Sequence, residues 1–132
     1  MLKSNSVRLA FVILGLALVA TAPGCRRRQA AQPVEADRAR EVLRTTLGAW
    51  QKGQSPESLQ QQSPSITAAD PKWQSGHRLL RYEIADKDQP VGGDLRCRVV
   101  LVLQGPDGKQ TEEKAVFSVS TAPALVVVRA DN

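Results

Sequence analysis

Apolar residues along this chain change spacing twice, and each change marks a new kind of element. From Leu9 to Ala22 they form an uncharged, nearly unbroken run. From Val34 to Gln51 they recur every three or four positions: Ala36, Ala39, Leu43, Leu47 and Trp50 fall on one helical face. Glu35, Asp37, Arg38, Arg40, Glu41 and Arg44 cover the opposite face, and Lys52-Gly53 marks the helix end. A second, short helix is expected to start at Ser55-Pro56-Glu57, with Ser55 capping and Pro56 in the first turn. Ser63-Pro64 stops it. Ser65 to Ala69 reads as a short edge segment, and Asp70 to Gly76 as a turn-rich connection around Trp73.

Beyond Gly76 the period becomes two. His77 to Ala85 places Leu80, Tyr82 and Ile84 on one face and Leu79, Arg81 and Glu83 on the other, and Asp86 to Gly93 reads as a loop. Asp94 to Gln104 gathers Leu95, Cys97, Val99, Leu101 and Leu103 on one face, with Arg96, Arg98, Val100 and Val102 opposite. Gly105-Pro106-Asp107-Gly108 is a hairpin turn signal, so the next strand pairs antiparallel. That strand, Gln110 to Thr121, points Ala115, Phe117 and Val119 one way. Ala124 to Arg129, with its LVVV centre, is the last strand.

Helices first and strands afterwards predict an α+β fold. The expected architecture is an N-terminal long helix and a short helix packed on a curved antiparallel sheet of about four strands. This element order over residues 34–130 resembles the cystatin-like and nuclear transport factor 2-like cone folds, and the short bacterial lipoproteins that carry such a domain. The resemblance is one of element order and transfers no functional residue.

The N-terminal run sets the expected compartment. Lys3 and Arg8 precede it, and Thr21, Ala22 and Gly24 end it with small residues, as in a secretory signal. As a helix its roughly 14 residues rise only ~21 Å, short of the ~30 Å of a bilayer core. It closes on Ala22-Pro23-Gly24-Cys25, which resembles the lipobox of bacterial lipoproteins. The resemblance implies that residues 1–24 are removed and that Cys25 carries lipid. The chain would then be anchored on the outer side of the cytoplasmic membrane or in the outer membrane. Two other fates stay open: ordinary cleavage, giving a secreted protein, and no cleavage, giving a short anchor. Residues 25–33 form an Arg-rich tether with a reach of at most ~28 Å beyond Cys25, and residues 34–132 form the domain.

The formal net charge of +5 does not make the domain basic. Lys3, Arg8 and Arg26 to Arg28 account for it, and from Gln29 on acids and bases balance. No basic patch with interleaved aromatics is present, so nucleic acid is not an expected partner. Two cysteines occur. With Cys25 lipidated, Cys97 has no partner; without lipid, a Cys25–Cys97 bridge becomes an option in an oxidising compartment. The strand period buries Cys97 and turns Arg96 and Arg98 away from it, which makes it an inert core residue.

Little else carries chemistry. His77, the single histidine, lacks a metal-ligand or catalytic spacing and reads as an exposed strand-start residue. Asp70, Asp86 and Asp94 fall in expected loops, where carboxylates are solvated. No nucleotide, phosphate-loop or nucleophile-elbow motif occurs. No catalytic residue, cofactor or metal is expected. The unusual feature is a second apolar set, Val100, Val102, Val116, Val126 and Val128, on the sheet face away from the long helix. Either the short helix and the Trp73 loop cover it, or it is an interface for a homodimer or a protein partner. The expected function is a membrane-tethered, non-catalytic binding or assembly domain. The alternative is a small cone-fold enzyme or small-ligand carrier with a pocket between helix and sheet.

Overall fold

The computed structural model describes residues 33–130. The signal-like run, Cys25 and the tether arginines lie outside the described residues. The fold is α+β. Helix α1 spans Ala36–Gln51 and is followed by a 3-10 helix, Pro56–Gln61. Strand β1 is Ile66–Ala69, short helix α2 is Pro71–Gln74, and β2 to β5 are Arg78–Val91, Asp94–Gln104, Gln110–Ser120 and Leu125–Arg129.

Helix α1 forms where the three-and-four spacing predicts it. Ala39, Val42, Leu43, Thr46, Leu47, Ala49 and Trp50 are its buried residues. It ends because Gly53 takes φ +78°, a conformation that strains any residue with a Cβ. The amides of Gly53 and Gln54 then donate to the carbonyls of Trp50 and Ala49, closing the last turn.

Among the described residues the sheet has five strands, not about four, in the order β1-β5-β4-β3-β2. It is also mixed rather than purely antiparallel: the edge segment β1 pairs parallel to β5, with Ile66 opposite Leu125. The expected loop Asp86–Gly93 is instead the second half of β2. That strand runs on to Val91 and turns into β3 through Gly92-Gly93, with Gly92 at φ +61°. A two-residue hairpin of the II′ kind demands that φ of its first residue.

Strand β2 departs from strict alternation at two places. Leu79 lies opposite Leu103 and Arg81 opposite Val102, so Leu80 is an extra residue in a bulge. The bulge shifts the faces. Leu79, expected on the outer side, is buried, and it shares the helix side with Tyr82 and Ile84. A second irregularity between Ile84 and Asp88 brings Asp88 opposite Cys97.

Among the described residues all the helices lie on one side of the sheet. Leu43, Leu47 and Ala39 of α1 meet Leu95, Val99, Leu101, Phe117, Val119 and Val127, almost all of them without solvent contact. The 3-10 helix adds Leu59 beside β1. Trp73 of α2 stacks on Trp50 with ring centroids 5.3 Å apart and planes 9° from parallel. The Trp50 Nε1 donates to the His77 carbonyl at 2.7 Å and the Trp73 Nε1 to the Gln54 carbonyl at 3.0 Å. Both indole donors are satisfied, as buried tryptophans require. The short helix and the Trp73 loop therefore thicken the helix layer and do not cover the opposite face.

Candidate interaction surface

Strand alternation divides the sheet cleanly. On β3, β4 and β5 the inward apolar residues are buried, the inward Thr111, Glu113 and Arg129 are not, and the intervening residues are half-buried or exposed. The outward set includes all five valines singled out above: Val100, Val102, Val116, Val126 and Val128 are each half-buried. They form a diagonal band from β5 through β4 to β3. Among the described residues no helix or loop lies over this band.

Ladder register places charges on both sides of the valines. Glu83 of β2 lies opposite Val100 of β3, which lies opposite Lys114 of β4. One step along, Arg81 lies opposite Val102, which lies opposite Glu112. The two rows thus read minus, valine, plus and plus, valine, minus. All four charged residues are exposed. Among the described residues none of the four makes an ion pair or a side-chain hydrogen bond. A shallow groove of about 590 Å³ runs over this region between Glu83, Ala85, Arg98, Val100, Lys114 and Val116. A smaller hollow of about 230 Å³ adjoins it at Arg81, Val102 and Glu112. Farther along, the Ser118 hydroxyl donates to the Asp94 carboxylate at 3.0 Å, so Asp94 is a ladder residue and not a loop residue.

The helix side holds two ion-pair groups that the sequence did not disclose. Asp70 was expected to be solvated and is instead 2% exposed. Its Oδ1 accepts from the amides of Lys72 and Trp73, capping α2. Its Oδ2 accepts from Arg129 Nε at 2.7 Å, and Arg129 Nη1 donates to Glu113 at 2.7 Å. Burial works against the Arg129 charge, but the bonds to Glu113 and Asp70 outweigh it and hold its pKa above the ordinary value. The guanidinium also sits 5.7 Å from the Phe117 ring centre. The second group is Arg40 of α1 hydrogen-bonded to Asp88 of β2, close to Cys97. Burial, with the Asp88 charge adding to it, pushes the Cys97 thiol up to about 11. Cys97 is a buried free thiol, as the strand period predicts.

The remaining candidates do not converge. His77 lies just before β2, half-buried, with Nδ1 3.0 Å from the Ser75 hydroxyl. Asp86 is exposed on β2. Among the described residues no group of His, Cys, Asp and Glu side chains could hold a metal ion. Between the middle of α1 and the sheet the space is filled by side chains. At the N-terminal end of α1 it opens into a hollow of about 850 Å³ lined by Glu35, Asp37, Glu41, Val42, Ile66 and Leu125.

Arg81, Glu83, Glu112 and Lys114 are the surface residues that sequence reasoning did not single out. Opposite charges two apart on outward strand positions were visible. Their alignment into rows depends on the Leu80 bulge, which has no sequence signal of its own. Against known proteins, no family model matches the chain, and no curated protein or solved structure gives a match either.

Proposed function

We propose that this chain is a lipid-anchored protein of the cell envelope whose folded domain is a non-catalytic binding or assembly module. In this reading residues 1–24 are a signal, Cys25 carries the lipid, and residues 26–33 tether the domain close to the membrane. The domain works through its uncovered sheet face. One observation carries that assignment: among the described residues every helix lies on one side of the sheet, while a band of five valines rimmed by charge faces outward on the other. A solitary domain would gain by covering such a band, and exposed apolar patches of this kind mark interaction sites. The long helix laid across the sheet supports a cone-like architecture of the cystatin or nuclear transport factor 2 type.

A second reading, a small-ligand carrier or small cone-fold enzyme, is favoured by the hollow of about 850 Å³ at the N-terminal end of α1. Its walls are Val42, Ile66 and Leu125, and its rim carries Glu35, Asp37 and Glu41. The sheet face remains the better supported site, because its apolar and charged residues recur in ordered rows.

Intact-mass analysis of the membrane fraction, comparing the native chain with Cys25→Ser, tests the anchor. A native species that begins at Cys25 and carries added acyl mass, absent from the variant, is the expected result. A native chain beginning at Met1 with no added mass would overturn it.

A further inference from the structure

Resting on the reading of the outer face as a docking surface, we infer that its partner is a second copy of this chain. The two copies pack sheet to sheet about a two-fold axis that crosses β3 between Val100 and Val102, with their strands antiparallel. The reason is the arrangement of charge. A two-fold axis in that position lays the row Lys114-Val100-Glu83 over the row Glu112-Val102-Arg81 of the other copy. Lys114 then meets Glu112, Val100 meets Val102, and Glu83 meets Arg81, each contact occurring twice, as an isologous interface requires. The four charges that have no ion-pair partner within the described chain all acquire one.

The other simple two-fold arrangement, with the axis running along β3, also pairs opposite charges at the rim. It stacks Arg98 on Arg98 at its centre, however, and like charges brought face to face disfavour an interface. The axis between Val100 and Val102 instead sets Arg98 against Gln104 of the second copy, since both are outward positions of β3 three residues from the axis. Sheets packed face to face lie within about 30° of alignment, so the pairing is closest near the axis.

The overlap runs from Val116 to Gln110 across β2, β3 and β4, roughly 24 Å by 14 Å from strand geometry. That is about 340 Å² of projected face per copy, well under the ~800 Å² of a standard stable interface. The pair is therefore weak and concentration-dependent. Anchoring both copies to one lipid surface raises their effective concentration.

Charge-reversed variants of the full-length chain in detergent test the inference. One variant carries Glu83→Lys with Glu112→Lys, making the patch wholly positive. The other carries Arg81→Glu with Lys114→Glu, making it wholly negative. The substituted positions are exposed, and circular dichroism verifies that each variant folds. By sedimentation, the wild type shifts from one-chain to two-chain mass as concentration rises. Each variant alone stays at one-chain mass, and the equimolar mixture recovers association to within about tenfold of the wild type. A short thiol-to-thiol cross-linker matched to the ~10 Å between facing sheets joins Val100→Cys to Val102→Cys chains in a mixture, while neither variant alone bridges efficiently to itself.

One-chain mass for the wild type at every concentration and for the mixture overturns the inference. So does efficient self-bridging of Val100→Cys, which would place the axis along β3. If self-association fails while a photo-reactive group at position 100 still cross-links another protein in the membrane, the second copy is refuted and the docking surface stands.

Discussion

Asp70 holds two structural jobs at once, and separating them tests how the domain is held together. Its side chain caps α2 through the amides of Lys72 and Trp73, and it pairs with Arg129 at 2.7 Å. The pair is dry: side-chain exposure is 3% for Asp70 and 12% for Arg129. Asp70→Asn keeps an oxygen for the cap but removes the charge. Breaking a buried pair from one side costs ~3–5 kcal/mol. Here Glu113 stays bonded to Arg129, so the expected loss is about 2–3 kcal/mol, the range of one hydrogen bond to a charged group. Asp70→Ala also removes the cap and should lose about 1 kcal/mol more. Arg129→Met should cost less in an Asp70→Asn background than in the wild type, because the bond to Asp70 is already broken there. Urea unfolding followed by the fluorescence of Trp50 and Trp73 measures all three. At this chain size 2–3 kcal/mol lowers Tm by roughly 8–24 °C. Asp70→Asn within about 0.5 kcal/mol of wild type, or full additivity of Asp70→Asn and Arg129→Met, would refute the buried pair.

Two further outcomes follow from the same coordinates. Cys97 holds its proton in the folded chain up to about 11, against an ordinary 9.0. The raised value favours the fold below pH 9 and ceases to do so as pH rises from 9 to about 11, a loss on the order of 2–3 kcal/mol at most; urea unfolding across that range should show the slope in wild type, and Cys97→Ala should flatten it. Leu101 and Val102 are neighbours on opposite sheet faces, so Leu101→Ala should cost ~2–5 kcal/mol and Val102→Ala about 1 kcal/mol or less; equal costs in urea unfolding would mean that both faces are covered.

The parts of the fold legible in sequence are those whose signal is local and repeated. Ala39, Leu43, Leu47 and Trp50 repeat at helical spacing and lie buried on α1. Leu95, Cys97, Val99, Leu101 and Leu103 repeat at strand spacing and lie buried on β3. What stayed hidden depends on distant partners. Asp70 resembles any turn carboxylate until Arg129, 59 residues later, is placed against it. Asp88 looks like a loop residue until Arg40 of α1 crosses over it. The parallel pairing of β1 with β5 cannot be read from four residues at an edge. The candidate surface was half legible. Its valines follow from alternation, but its ordered charges needed the register set by the Leu80 bulge.

The central claim is that the uncovered sheet face is the working surface of a membrane-tethered domain. Photo-cross-linking in intact membranes tests it most directly, with a photo-reactive residue placed in turn at Val100, Val102 and Arg44. Val100 and Val102 are outward positions of the sheet, and Arg44 is exposed on α1. The account predicts discrete protein adducts from the sheet positions and none from Arg44. Adducts from Arg44 alone, or none from either sheet position, would contradict it.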